Sequence, residues 1–282
     1  MKKALFLAVG AALASPAFAQ SSVQLYGIVD LAYRHTTNEG TADSGSHKGS
    51  LTRMIGGGMS QSRLGINVTE DMGNGVKALA NLEQRINAQD GSVAGPSAAS
   101  PSGFQQSWVG LQSSSLGRLT LGRQYNVLFD LVTSTYASYP YSPYMDAYKP
   151  EIGMALGARA NSMLKYTVEL GPVRGALQYS RSEGSPTGGA TRGGYVRYAQ
   201  SGFAGGVGYQ DYEFGSGKKI KAWSAGGSYR TGPWYFNLGY GQNKVDAGLT
   251  PVDMAVLGAF WSGNVNGGFG GPGFLVANKR KM

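Results

Sequence analysis

The sequence predicts an all-β chain folded as a transmembrane antiparallel β-barrel, and three observations predict it. An export segment opens the chain, period-two alternation of apolar and polar residues runs along most of it, and the composition is rich in Gly and Tyr with no Cys. Lys2 and Lys3 precede an apolar stretch from Ala4 to Leu13, and the small-residue site Ala17-Phe18-Ala19 follows. That is the layout of a secretory signal peptide over residues 1–19, with cleavage after Ala19 and one domain over 20–282. The apolar stretch is too short to span a bilayer, which takes about 20 residues.

A hydrophobic content of 41% and a mean hydropathy of −0.21 would suit a water-soluble protein. A barrel gives the same totals, because its strands alternate lipid-facing and lumen-facing side chains. The 45 Gly suit tight turns and a crowded wall, and the 17 Tyr suit girdles at the two membrane interfaces. The formal charge of +9 falls to +7 once Lys2 and Lys3 are removed. For an exported chain this excess points to lipopolysaccharide contacts, to a positive lumen, or to solvated Lys and Arg without a role; nucleic acid is not an expected partner.

The alternation starts at Val23, with Val23, Leu25, Val29, Leu31 and Tyr33 on one face and Gln24, Tyr26, Asp30 and Arg34 on the other. Leu64, Ile66 and Val68 then oppose Arg63, Asn67 and Thr69, and Ala78, Ala80, Leu82 and Ile86 oppose Lys77, Asn81, Glu83 and Arg85. Asn74-Gly75 between these runs supplies the positive φ values that a tight hairpin needs. Further strands read at roughly 104–113, 117–124, 161–170, 173–181, 192–200, 203–212, 219–230 and 233–241, for about eleven in all and no segment of helical period. Short links alternate with longer polar ones after Gln89, Arg123, Arg181, Tyr212 and Gly241, the asymmetry of an outer-membrane barrel.

From Ser22 to about Gly241 the chain resembles the general diffusion porins of β-proteobacteria, of the Burkholderia and Neisseria type. The resemblance is carried in order by Val23-Gln24-Leu25-Tyr26-Gly27-Ile28-Val29-Asp30, Ser62-Arg63-Leu64-Gly65, Thr69-Glu70-Asp71-Met72-Gly73-Asn74-Gly75-Val76-Lys77-Ala78, Trp108-Val109-Gly110-Leu111 and Leu119-Thr120-Leu121-Gly122-Arg123-Gln124-Tyr125. It implies a sixteen-stranded antiparallel barrel in the outer membrane, a homotrimer, with small hydrophilic solutes and ions passing by diffusion. It also implies that the third external loop, here about 125–158, folds into the lumen and narrows it.

Carried over residue by residue, Arg63, Arg123 and Arg159 are the basic wall of that constriction, and Asp146 and Glu151 are its acidic partners, favoured over Asp130 at the start of the loop. Alternation points Arg63 and Arg159 into the lumen. Arg123 shares parity with the lipid-facing Leu119 and Leu121, so its assignment requires the strand to end or bulge at Gly122. Two departures stand out: Gln105-Gln106 replaces the Asn-Arg common in relatives, and the chain stops at Asn278-Lys279-Arg280-Lys281-Met282 without a terminal aromatic residue. The expectation is a C-terminally truncated chain of about eleven or twelve strands forming an open or incomplete barrel.

Nothing in the sequence supports catalysis. Only His35 and His47 are available, no Gly-x-Ser-x-Gly element accompanies them, and no metal-ligating group or cofactor motif is present. The alternative function is a substrate-specific channel, with Tyr139, Tyr141, Tyr144 and Tyr148 forming a lumenal sugar or aromatic-acid site.

Overall fold

A computed structural model describes residues 21–37, 49–58, 60–94, 103–136, 158–181, 189–232 and 234–246. The signal segment 1–19 and the C-terminal stretch from 247 lie outside the described residues, as do Asp146, Glu151 and the four tyrosines between 139 and 148. The elements in chain order are β1 (Ser22–Ile28), β2 (Leu31–Thr37), β3 (Ser50–Gly56), β4 (Arg63–Gly73), β5 (Val76–Asn87), β6 (Ser92–Ala94), β7 (Gln106–Ser113) and β8 (Gly117–Tyr125). A helix α1 (Val127–Thr135) follows, then β9 (Arg159–Leu170), β10 (Val173–Arg181), β11 (Ala190–Gln200), β12 (Phe203–Glu213), β13 (Lys219–Thr231) and β14 (Trp234–Val245).

One twelve-stranded sheet carries the fold, in the order β1-β4-β5-β7-β8-β9-β10-β11-β12-β13-β14, with β6 also paired to β5. Every pairing is antiparallel. The remaining strands, β2 and β3, make a separate hairpin. The alternating run from Val23 to Arg34 is therefore two strands and not one. The break has a cause: Asp30 accepts the Gly58 and Ser60 N–H groups at 2.9 and 2.7 Å, and its own N–H donates to Ser62 Oγ at 2.8 Å. Those bonds take the backbone out of the ladder between β1 and β2.

The expected alternation is present, and it is inverted relative to a water-soluble sheet. On β10, Leu177 and Tyr179 are exposed while Gln178 and Ser180 are buried. On β12, Val207 is 54% exposed and Gln210 only 1%. A β-sandwich buries its apolar face against a second sheet, whereas here the apolar face is the outer one, as hydrocarbon solvent requires. Links at one end of the sheet hold two or three residues, at 74–75, 114–116, 171–172, 201–202 and 232–233. Links at the other end are longer. Asn74 and Gly75 have φ values of 53° and 74°, as the Asn-Gly hairpin requires.

Helix α1 corrects the expectation of no helical segment. Asn126 caps it, its side chain accepting the Phe129 N–H at 2.8 Å. Val127, Leu128, Leu131, Val132 and Thr135 form its buried stripe. A nine-residue helix is about 14 Å long, close to three inter-strand spacings of about 4.8 Å. The helix accordingly runs across strands. Val127 N–H donates to Gln178 of β10 at 2.7 Å, while Tyr136, just past the C-terminal end, bonds to Ser224 of β13. Wall donors also satisfy the carbonyls that a helix C-terminus leaves open. Arg197 Nε reaches Ser134 O at 3.0 Å, Ser228 Oγ reaches Thr135 O at 2.5 Å, and Asn237 Nδ2 reaches Tyr136 O at 2.7 Å.

The seat is lined by glycines. A Cβ at Gly206 would meet Leu131 Cδ1 at 2.7 Å, and one at Gly208 would meet Leu131 Cδ2 at 2.9 Å. At Gly226 and Gly239 it would enter the Tyr136 ring. Replacing Gly226 by Leu is expected to unseat α1 while the sheet persists. Hydrogen exchange should rise at least about tenfold over Val127–Thr135, with the β signal in circular dichroism unchanged.

Candidate functional site

The face of the sheet that carries α1 is its polar face, and the basic residues expected from the sequence can be located on it. Arg63 opens β4 and lies opposite Arg85 of β5 in the ladder. Arg159 opens β9 opposite Tyr125, the last residue of β8. Glu83 of β5 joins the two arginines: its carboxylate is 3.7 Å from Arg63 Nη1 and 3.9 Å from Arg159 Nη2. Glu83 and Arg159 are buried. The Tyr26 hydroxyl donates to Glu83 Oε2 at 3.2 Å and accepts from Asn81 Nδ2 at 3.0 Å, and Asn81 also donates to Asn67 at 2.7 Å.

Arg123 reaches the cluster through an irregularity. The β8–β9 register shifts between Gly122 and Gln124, and Gly122 holds a φ of +126° that a side chain would strain. The parity that would group Arg123 with Leu119 and Leu121 stops applying at that bulge. Arg123 Nη1 donates to Asn161 Oδ1 at 2.5 Å, two residues along β9 from Arg159. Arg63, Arg85 and Arg159 thus gather around the single buried carboxylate of Glu83, with Arg123 beside them. The Nε atoms of Arg85, Arg123 and Arg159 have no hydrogen-bond partner among the described residues.

The cluster is tied to the helix through aromatic stacking. Arg159 donates to the Tyr125 hydroxyl at 2.5 Å and its guanidinium carbon lies 4.2 Å from the Tyr125 ring centroid. That ring stacks on Phe129 of α1 at 4.1 Å and 4°. On the other side of the helix, Lys165 Nζ of β9 meets Asp130 Oδ2 at 2.6 Å and the Tyr125 carbonyl at 2.8 Å. Asp130 is therefore neutralised by a wall lysine. Asp146 and Glu151, the expected acidic partners, lie outside the described residues.

Sequence reasoning passed over Glu83, Arg85 and Lys165. All three sit on the polar parity of their strands, with Lys165 between the outward Leu164 and Tyr166. The available signal was that parity plus charge, next to inward amides and hydroxyls such as Asn81, Thr120, Gln178 and Gln210. No group of His, Cys, Asp or Glu able to hold a metal ion exists among the described residues.

Removing one member of the Lys165–Asp130 pair strands the other on the wall. A double-mutant cycle of Asp130→Asn and Lys165→Met, read by urea unfolding, is expected to return a coupling of about 1–3 kcal/mol.

Comparison with known proteins supplies the family. A family model described as Gram-negative porin matches residues 4–271. An outer membrane porin protein of Bordetella pertussis is 29% identical over 98% of this chain and 73% of its own length. Outer membrane porin protein 32 of Delftia acidovorans is 30% identical over 93% of this chain and 66% of its own length. Among solved structures, an anion-selective porin from Comamonas acidovorans matches with a TM-score of 0.57 at 24% identity, covering 81% of this chain and 80% of that one. A loop-deletion mutant of OmpT of Vibrio cholerae matches with a TM-score of 0.60 at 14% identity, over 82% and 72%. At these identities the structural matches bear on the fold.

Proposed function

Given that this chain belongs to the Gram-negative porin family, non-catalytic proteins of the outer membrane, we propose that it forms a water-filled channel. Small hydrophilic solutes and ions cross by passive diffusion, and the wall around Glu83 favours anions. The observation that carries the anion preference is the charge imbalance: Arg63, Arg85 and Arg159 gather around the one carboxylate of Glu83 with Arg123 beside them, and the nearby Asp130 is already matched by Lys165. A permanent positive potential at the lumen face lowers the energy of a passing anion and raises that of a cation.

The finer architecture belongs to the same proposal. Among the described residues the sheet runs from β1 to β14 without those two strands meeting. Strand edges facing hydrocarbon would leave N–H and C=O groups unpaired, which supports closure of the sheet; the sixteen strands and the homotrimer rest on the family resemblance alone. The inward position of α1 at the start of 125–158 supports the reading of that segment as the constriction loop, with Arg63, Arg123 and Arg159 facing Asp146 and Glu151.

Reversal potentials in planar bilayers under a salt gradient test the proposal. One unit charge about 5 Å from a permeating ion in water is worth ~0.8 kcal/mol, with opposite sign for an anion and a cation, so each charge change is expected to move the anion-to-cation permeability ratio about fifteenfold at low salt. Glu83→Gln should raise anion preference, and Arg63→Ala or Arg159→Ala should lower it. Equal permeability ratios in all three variants would remove the basic cluster from the selectivity mechanism, and absence of conductance in every form would remove the channel.

A further inference from the structure

Helix α1 covers the polar face of β10 to β13, which leaves the wall of β4 to β9 to line the path for solutes. The inward positions of that wall are charged or polar or glycine, with one apolar patch made by Leu79, Trp108 and Met163. Asn81, Trp108, Gly122 and Met163 stand opposite one another in successive strands, and Leu79, Gly110, Thr120 and Lys165 do so one step nearer the short links. Opposed residues of an antiparallel ladder share a face. Trp108 therefore points inward with the buried Asn81, and Leu79 with the buried Thr120. Leu79 and Trp108 are half-buried and present surface to the lumen, whereas Met163 is covered.

Two glycines keep this surface clear. A Cβ at Gly110 would meet Leu119 O at 2.5 Å, and one at Gly122 would meet Trp108 Cα at 2.8 Å. With no side chain at Gly110, the diagonal between Leu79 and Trp108 stays open for contact.

The patch separates two basic levels. Glu83 with its arginines lies two residues beyond Asn81 along β5 on the same face. On the other side, Lys77, Gln112, Arg118 and Thr167 stand opposite one another in the next row. An anion moving between the two levels crosses Trp108 and Leu79, and the donors beside them are committed. Asn81 Nδ2 donates to Tyr26 at 3.0 Å and to Asn67 at 2.7 Å, and the Thr120 hydroxyl donates to Gln124 Oε1 at 2.7 Å. Lys165 is held by Asp130 and by the Tyr125 carbonyl. Indole and aliphatic surface does not replace the water around an ion. A strongly hydrated anion loses water there without compensation, and a weakly hydrated one loses little.

We propose that Trp108 and Leu79 form an apolar sill on the permeation path that sorts anions by hydration, admitting large, weakly hydrated monovalent anions such as thiocyanate ahead of fluoride. The inference rests on the channel reading above and adds a specificity-determining surface to it. The arginine cluster sets the sign of charge admitted, and the sill sets the order within that sign. Because the sill bears no charge, its removal leaves the anion-to-cation ratio in place.

The test is the bi-ionic reversal potential in planar bilayers, with potassium as the common cation, chloride on one side and thiocyanate or fluoride on the other. The unsubstituted chain is expected to rank thiocyanate above chloride and chloride above fluoride by more than their free-solution mobilities. Trp108→Gln should lower the thiocyanate-to-fluoride ratio about threefold, the effect of roughly 25 Å² of lost apolar contact. Leu79→Asn should lower it less, and Trp108→Phe should preserve it. Arg63→Ala should move the anion-to-cation ratio and leave the order among anions unchanged. A parent ratio that follows free-solution mobilities overturns the proposal without any variant having to fold, and so does Trp108→Gln with the parent's ratio. Conductance without preference for anions over cations would remove the arginine reading while the thiocyanate-to-fluoride ratio still decides the sill. Absence of conductance in every form removes both.

Discussion

The hydrogen-bonding demand of the backbone in hydrocarbon governs this molecule. A strand that faces lipid has no water to satisfy its N–H and C=O groups, so each of β4, β5 and β7 to β13 is flanked on both sides by antiparallel partners in one continuous ladder. Once the ladder is complete, side chains carry no obligation to form an interior on the lipid side. Apolar residues can stand outward, and the polar ones turn in. That is why Leu177 and Val207 are exposed while Gln178 and Gln210 are buried, an arrangement that would aggregate in water.

The polar face then becomes the surface on which everything functional is built. Helix α1 lies across β10 to β13, and its termini are completed by Gln178, Arg197, Ser228 and Asn237 of the wall. Each such bond contributes on the order of 1 kcal/mol, and no single one would hold a nine-residue helix. Together with the glycine-lined seat they fix its position. That position in turn brings Phe129 onto Tyr125 and Asp130 onto Lys165, so the helix and the arginine cluster are one construction.

Strands were legible in the sequence because a period of two survives any tertiary context in which one face is apolar and the other polar. Leu64, Ile66 and Val68 announced β4, and Asn74-Gly75 announced its hairpin, with boundaries close to those found. Helix α1 was not legible for a reason of scale. Val127, Leu128, Leu131, Val132 and Thr135 have helical spacing, but nine residues fall short of the window over which that period stands out. The break at Asp30 was hidden because its cause lies 28 to 32 residues away, at Gly58, Ser60 and Ser62. Arg63 and Arg159 were legible as inward charges, whereas their common carboxylate was not, because the meeting of β5 and β9 side chains across two intervening strands is a property of the assembled sheet.

The inverted face assignment is the claim on which the site and the channel both depend. The chain contains no Cys, so single cysteines can be introduced one at a time along β4 from Leu64 to Thr69, away from the β10 to β13 seat of α1, without a background thiol. In the membrane-inserted protein, labelling by a water-soluble thiol reagent should succeed at Asn67 and Thr69 and fail at Leu64 and Ile66, whose labels should instead be quenched by lipid-dissolved quenchers. Water-accessible labels at Leu64 and Ile66 with lipid-quenched labels at Asn67 and Thr69, or no alternation at all, would contradict the account.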